Sequence, residues 1–363
     1  MALKVGVVGC GNISDIYLKN SSGFKEFEIV ACADLEMEKA VKLSKTYGIA
    51  KVLTVEEITS SDEADIILNL TIPKSHAKVS FQAIEKGKHV YSEKPFAISF
   101  EDGKRVVQKA KQNNVIVCSA PDTFLGGSIQ LAGELIEDGV IGKLVGATAL
   151  MMSRGPESWH PNPEFFYQKG GGPMYDMGPY YLTALVSLMG PVSRVAGSAH
   201  ISFPERTITS PGKHGEKITV QVPTHVSGLL DFHNGATASI TTSFDVSATR
   251  TPFIEIYGEN GTISLPDPNQ FNQPLLVKKY GEDTWKECQP SGKVDVNMRG
   301  IGLVDMADAI EKGRTARADG SKALHVLEIM HGIHRSSEEG KHYIMESMCK
   351  KPLLLKDKSN LKA

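Results

Sequence analysis

A chain of 363 residues is too long for one small core and fits about two domains of ordinary size. Apolar residues make up 41% and charged residues 23%, so a packed core under a soluble surface is feasible. The net charge of −2, with no long basic stripe, argues against a nucleic-acid partner. No apolar run approaches the roughly 18 residues of a bilayer span, so no membrane partner is expected.

The first nine residues are apolar but lead straight into a glycine fingerprint without a cleavage-site pattern. They read as a strand and not as a signal peptide. β-rich runs follow at 4–8, 28–33, 65–70, 89–92 and 115–119, with helical patterns at 36–47, 75–86 and 100–113 between them. Strand–helix alternation implies a parallel sheet with helices on both faces, hence a doubly wound Rossmann domain over residues 1–122. A helix at 129–138 then leads into alternating runs at 144–152, 194–202, 218–222, 225–232, 236–244, 253–257 and 262–265. Asn234-Gly235 between two of them is a hairpin signal. Late helices are expected at 301–312 and 323–339. The fold class is therefore α/β: the Rossmann domain, then an α+β domain over 123–350 with a large, mostly antiparallel, open-faced sheet, and a lysine-rich tail at 351–363. The five cysteines form no C-x-x-C pair and no metal-ligand spacing. They read as reduced thiols of a cytoplasmic protein, with no metal expected.

Gly9-Cys10-Gly11-Asn12-Ile13-Ser14 directly follows the first strand and is one residue off the G-x-G-x-x-G/A dinucleotide pattern. Gly9 permits a tight turn and Gly11 lets backbone approach a pyrophosphate. The helix N-terminus at Asn12 and Ile13 offers free N–H groups, and Ser14 is small enough for close packing. Asp34 ends the second strand. A carboxylate there accepts hydrogen bonds from the adenine-ribose hydroxyls and repels a 2′-phosphate, which favours NAD(H) over NADP(H); alternatively it only caps the next helix.

The strand at 89–92 ends in Glu93-Lys94-Pro95, and ligands of doubly wound sheets sit beyond the carboxyl ends of strands. Lys94 there can stabilise a developing alkoxide, although most lysines are merely solvated. Trp159-His160 lies in a proline-bounded loop. The indole offers a face to a sugar ring and the imidazole a donor or acceptor, or else the prolines only stiffen a surface loop. After the run Gly170-Gly171-Gly172 come Asp176 and Tyr180. One helical turn would align them on one face, where a carboxylate and a phenol can bind vicinal hydroxyls; alone, they also read as a capping Asp and a core Tyr. Asp122 and Arg154, near the domain junction, are further candidates for substrate contact.

These motifs resemble the family of glucose–fructose oxidoreductase, inositol dehydrogenase and rhizopine-catabolism oxidoreductases (Gfo/Idh/MocA). The resemblance rests on the glycine fingerprint, Thr71-Ile72-Pro73-Lys74-Ser75-His76, Glu93-Lys94-Pro95, Asp176-x-Gly178-x-Tyr180 and the run from Glu255 to Thr262, and it covers nearly the whole chain. It implies a cofactor side that includes Leu70, Thr71, Ile72, His76 and Glu93, although a helix-start histidine is also an ordinary surface residue. It further implies that Lys94 contacts both nicotinamide ribose and substrate, that Asp176 binds a substrate hydroxyl, and that Tyr180 occupies the acid/base position where histidine is commoner. The implied reaction is hydride transfer between a nicotinamide and a hydroxyl or keto carbon of a sugar, inositol or related polyol. A free tyrosine ionises near pH 10 and a neighbouring ammonium favours phenolate, so Lys94 and Tyr180 read as a coupled proton-transfer pair. An NAD-dependent glycosidase of the same fold, a non-catalytic dinucleotide-sensing regulator and a reductase of non-sugar carbonyls or imines are the alternatives. A homodimer or homotetramer formed through the open sheet face is implied as well.

Overall fold

The structure is a computed structural model, and it describes residues 2–290 and 296–355. Contacts divide these into two units: residues 2–126 with 296–327 and 355, and residues 127–290 with 328–354. Residues 296–327 were expected with the second domain but fold with the first unit. The return is fixed by backbone pairing, since the Ser119 N–H donates to the Ala318 carbonyl at 3.0 Å. Of the tail expected at 351–363, residues 356–363 lie outside the described residues.

The first unit begins with β1 (Leu3–Val8), α1 (Asn12–Ser21), β2 (Phe27–Ala33), α2 (Met37–Tyr47), β3 (Lys51–Val52) and α3 (Val55–Ser60). It continues with β4 (Ile66–Asn69), α4 (Pro73–Glu85), β5 (His89–Ser92), α5 (Phe100–Gln112) and β6 (Val117–Ser119). The strands pair in parallel in the order β3-β2-β1-β4-β5-β6, the doubly wound order. β1 lies inside the sheet, and Val5, Val7 and Val8 are fully buried, which is why the strand past Lys4 reads as apolar without alternation. β3 and α3 were not expected. A two-residue strand has no periodicity to read, whereas α3 carries a capping box in which Thr54 and Glu57 each bond the other's backbone N–H. Ser99 caps α5 by accepting from Asp102 N–H at 3.1 Å, and Pro73 occupies the first turn of α4.

The second unit opens with α6 (Gly127–Glu137), β7 (Leu144–Met152), α7 (Pro173–Asp176), α8 (Gly178–Met189) and β8 (Val192–His200). β9 (Glu205–Thr207), β10 (Lys217–Thr219), β11 (His225–Phe232), β12 (Thr237–Ser243), β13 (Ile254–Gly258), β14 (Gly261–Leu265), β15 (Leu275–Lys279) and β16 (Lys286–Cys288) follow. Back in the first unit comes α9 (Ile301–Lys312). The helix α10 (Gly320–Glu339) begins in the first unit and ends in the second, and β17 (Tyr343–Ile344) closes the described elements. Nine strands form one sheet in the order β16-β15-β14-β13-β7-β12-β11-β8-β17, antiparallel except where β12 runs parallel to β7. The strand expected at 218–222 lies outside this sheet. Lys217–Thr219 pairs instead with β9 in a separate two-stranded ribbon. Strands β15, β16 and β17 were likewise not foreseen, being short and flanked by charge.

Hydroxyls of α10 dock it onto the sheet: Ser336 accepts from Gly197 N–H at 3.0 Å and Ser337 from Ala199 N–H at 2.9 Å. Along β11 burial alternates, with Val226, Gly228, Leu230 and Phe232 covered and Leu229 exposed on the opposite face. A separate apolar cluster of Phe166, Tyr167, Ile208, Ile218, Val220 and Phe244 sits under the β9–β10 ribbon. Among the described residues no helix is long and apolar enough to cross a membrane.

Candidate active site

At the fingerprint, Gly9 has φ +101, and a Cβ there would lie 2.6 Å from the Leu70 carbonyl carbon and 2.7 Å from Thr71 N. Only glycine lets this turn press against the end of β4. Gly11 caps α1 and stands exposed beside Asn12, so the helix N-terminus faces open space. Ser14, at the third fingerprint position, is buried and turns its hydroxyl back on the Gly11 carbonyl at 2.6 Å. Its side chain thus closes the turn from within.

Asp34 is half-buried, and its carboxylate accepts from Cys10 N–H at 2.8 Å and Glu36 N–H at 2.9 Å. It braces the fingerprint and the start of its own loop at once, and it does not cap α2, whose N-cap is Glu36 with no side-chain cap bond. The loop Asp34-Leu35-Glu36-Met37-Glu38 carries three acids and no base. Leu35 is 93% exposed after β2 and Ile72 is 56% exposed after β4, the two strands flanking β1. Exposed amides, a carboxylate and two bare aliphatic side chains at these strand ends fit a dinucleotide: pyrophosphate on α1, ribose at Asp34, adenine against Leu35 and Ile72.

Lys94 follows β5 and is half-buried. Its backbone N–H donates to Glu93 Oε2 at 2.8 Å, while Glu93 Oε1 accepts from the Tyr17 hydroxyl at 2.8 Å. Glu93, expected on the cofactor side, is a buried brace between α1 and the Lys94 turn. His76, offered also as a surface residue, is fully buried. Its Nδ1 lies 2.7 Å from the Pro95 carbonyl and its Nε2 2.8 Å from the Thr71 carbonyl. Burial pushes the His76 pKa down, opposed by the two carbonyls, which favour a proton on each nitrogen. Asn69 completes this lattice, donating to the His76 carbonyl at 2.9 Å and accepting from the Thr71 hydroxyl at 2.7 Å. Tyr17 and Asn69 escaped sequence reading because nothing local marks a side chain that reaches across to another element.

Asp122, expected near substrate, has another setting. It is buried, and its Oδ2 accepts from Gly300 N–H at 2.8 Å and Gly302 N–H at 3.1 Å, at the N-terminus of α9. Burial pushes its pKa up to about 6, partly offset by those two N–H groups.

In the second unit, Asp176 ends α7 and Tyr180 lies in the first turn of α8, with a break at Met177. The pair is therefore not on one regular helix. Tyr180 N–H bonds the Met177 carbonyl at 3.0 Å, starting α8 with a tight turn. Tyr180 is buried and Asp176 half-buried.

The loop before them is held by a buried charge cluster that sequence reading missed. Arg206, on β9, donates from Nε to Glu157 Oε1 at 2.9 Å, from Nη1 to Asp245 Oδ1 at 2.6 Å and from Nη2 to the Phe244 carbonyl at 2.9 Å. It also bonds the Arg154 carbonyl. Tyr167 donates to Glu157, and Thr224 donates to Asp245 Oδ2 at 2.6 Å. Gly155, at φ +99, leaves no room for a side chain, since a Cβ would lie 2.5 Å from Glu157 Oε2. Arg154 stays exposed, with Nη1 donating to Ser247 at 3.0 Å, while Trp159 stands in solvent and His160 is half-buried beside it.

Comparison with known proteins fits this arrangement. Residues 3–120 match the oxidoreductase family with an NAD-binding Rossmann fold, and residues 129–264 match the Gfo/Idh/MocA C-terminal domain. The D-glucoside 3-dehydrogenase of Escherichia coli (strain K12) is 28% identical over 250 residues, 67% of this chain and 70% of that protein. The myo-inositol 2-dehydrogenase of Thermotoga maritima is 24% identical over 263 residues, 72% of this chain and 74% of that protein. A levoglucosan dehydrogenase solved in complex with NADH shares the fold, with a TM-score of 0.83 at 20% identity over 96% of this chain and 100% of that one.

Proposed function

This chain belongs to the Gfo/Idh/MocA family of oxidoreductases with an NAD-binding Rossmann domain, and from that premise we propose that its substrate is a sugar, inositol or related polyol, oxidised or reduced at a hydroxyl or keto carbon. The observation that carries the reading is the bracing of Lys94 at the carboxyl end of β5, with Glu93 holding its backbone N–H and His76 holding the Pro95 carbonyl next to it. A backbone held in this way at a ligand-binding strand end supports a chemical role for Lys94. The substrate class is supported by the relatives' names, a glucoside and an inositol dehydrogenase.

When bound, the nicotinamide supplies the hydride acceptor or donor. Everything else falls to the chain's own groups. The α1 N-terminus with Gly9, Gly11, Asn12 and Ile13 takes the pyrophosphate. Asp34 takes the adenine-ribose hydroxyls and disfavours a 2′-phosphate. Leu70, Thr71 and Ile72 form the wall beside β4, and His76 keeps that wall joined to the Lys94 turn. Lys94 and Tyr180 are the groups we assign to the substrate's hydroxyl proton, and Asp176 the group that orients a neighbouring hydroxyl. Arg154, Trp159 and His160 form the substrate-side loop.

We place the enzyme in a reducing, cytoplasmic setting, supported by five free thiols. We further propose a homodimer or homotetramer through the open sheet face, where Val145 and Leu229 are bare. The test of function is a panel of sugars, glycosides, inositols and their keto forms followed by NADH absorbance. Turnover of a non-sugar carbonyl alone would overturn the substrate class. A monomeric mass by light scattering at micromolar concentration would overturn the assembly.

A further inference from the structure

We propose that Trp159 and Phe165 form an aromatic ledge for a second ring, so that the substrate is a glycoside whose aglycone, a sugar or an aryl ring, stacks there. The proposal rests on the reading of the reacting ring as a sugar. Trp159 is 67% exposed and Phe165 50% exposed, and His160 stands between them. Ring centroids are 5.4 Å apart for Trp159 and His160 and 5.3 Å for His160 and Phe165, each pair crossed at 78°. Phe166 lies buried beneath, 4.0 Å from the Phe165 ring and 5.2 Å from His160.

The imidazole adds a directed polar group. Asn162 N–H donates to His160 Nδ1 at 3.0 Å, so the neutral ring carries its proton on Nε2 and presents a donor there. Bare aromatic faces beside a fixed donor suit a pyranose, which has an apolar C–H face and hydroxyl edges, and equally an aryl ring carried on a sugar.

The ledge is rigid by construction. Its loop leaves the sheet through Arg154–Glu157, and the Arg206 cluster holds that segment by side chain and backbone alike. Burying one guanidinium with two carboxylates is repaid only by good geometry and hydrogen bonds, and such a cluster fixes the segments it joins. The geometry fixed here is that of an exposed aromatic surface. The ledge is also tied to the candidate catalytic helix: Gly172 N–H donates to the Phe166 carbonyl at 2.6 Å, and Gly172 caps α7, which ends at Asp176. With one sugar ring held at Asp176, the ledge is offered to the ring bonded next to it.

The test uses the full chain with NAD⁺ and three kinds of glucoside in both anomeric forms: methyl, phenyl and glucosyl (maltose and cellobiose). The expected result is a KM for one two-ring compound about 5–10-fold below that of its methyl counterpart. Phe165→Ala and Trp159→Ala should each raise that KM several-fold more than they raise the methyl glucoside's. An advantage for phenyl glucoside alone assigns the ledge to an aryl aglycone, and one for a disaccharide alone assigns it to a sugar. A second readout is independent of turnover. Trp159 and Trp285 are the two tryptophans of the chain, so in a Trp285→Phe background the remaining emission reports on the ledge and should be quenched by the preferred compound. Quenching without oxidation of any glucoside would sink the reaction proposed above and leave the ledge standing. Equal KM values for methyl and two-ring compounds, or variants that raise every KM alike, would overturn the ledge, as would an absence of both quenching and turnover.

Discussion

His76 joins two chain segments that border the candidate cofactor site: its Nδ1 lies 2.7 Å from the Pro95 carbonyl and its Nε2 2.8 Å from that of Thr71. Removing the ring in His76→Ala takes the donor from whichever of these carbonyls the neutral ring's one N–H serves, at a cost of about 1–3 kcal/mol. Because one carbonyl adjoins Lys94 and the other the β4 end, NADH affinity should fall about tenfold as well. Calorimetric melts paired with NADH fluorescence titrations decide the matter. Lower melting with unchanged NADH affinity would reduce His76 to a support of the fold.

Asp34 should set cofactor choice. Dissociation constants for NADH and NADPH are expected to differ in favour of NADH. Asp34→Ala should narrow the gap, losing charge-assisted hydrogen bonds of about 1.5–3 kcal/mol in NADH binding. Equal or tighter NADPH binding by the unaltered chain would sink this reading.

Lys94→Ala and Tyr180→Phe should each lower turnover by about 10²–10⁴-fold, or roughly 3–5 kcal/mol of barrier, with NADH still bound. Their effects should be less than additive, because one proton path is involved. Tyr180→His should keep more activity than Tyr180→Phe, with a lower pH optimum, since imidazole still accepts a proton. Steady-state kinetics of the single and double variants are the measurement, and full turnover in Lys94→Ala would undo the site assignment.

Asp122 gives stability a pH dependence of definite sign. With its pKa pushed up to about 6 from the ordinary 3.8 of a free aspartate, the folded chain holds a proton that the unfolded chain has already released between about pH 4 and 6. Stability contributed by this group therefore falls as pH rises through that window, by about 3 kcal/mol at most, and stays low above it. Asp122→Asn, which can still accept from Gly300 and Gly302, should lose that slope. Urea unfolding at pH 4.5 and 7.5 for both proteins is the check, and parallel curves would rule out the titration.

Arg206→Met leaves Glu157 and Asp245 buried without their cation, and is expected to cost about 3–5 kcal/mol. Melting should fall sharply, while NADH binding, a property of the other unit, should survive at temperatures where the variant is folded. A melting temperature within a degree or two of the parent would show that the cluster carries little of the second unit's stability.

The parts of this molecule that the sequence displays are the ones whose geometry is local. The Gly9–Ser14 turn, the Asp34 strand end and the Lys94 strand end are each settled within a few residues, so motif and structure coincide there. Glu93 and His76 sit where expected yet face inward, because the direction of a side chain depends on what packs against it. Asp122 illustrates the limit: its donors at Gly300 and Gly302 lie 178 and 180 residues further along the chain. Arg206 likewise sits in a short polar strand that resembles a loop, and only the folded chain brings Glu157 and Asp245 to it. The break at Met177 follows from Gly178-Pro179, a pair that restarts a helix more readily than it continues one.

The single carbonyl of Glu157 has a kinetic signature of its own. It accepts the backbone N–H groups of both Thr209 and Ser210, each at 2.9 Å. These residues lie on the connection between two short strands of a small ribbon, where exchange with solvent deuterium is ordinarily fast. Here both amides are tied to the Glu157 segment, so their exchange should be slower than that of an unbonded turn. Thr209, although its side chain is exposed, should report in hydrogen exchange on the lifetime of the whole substrate-side loop.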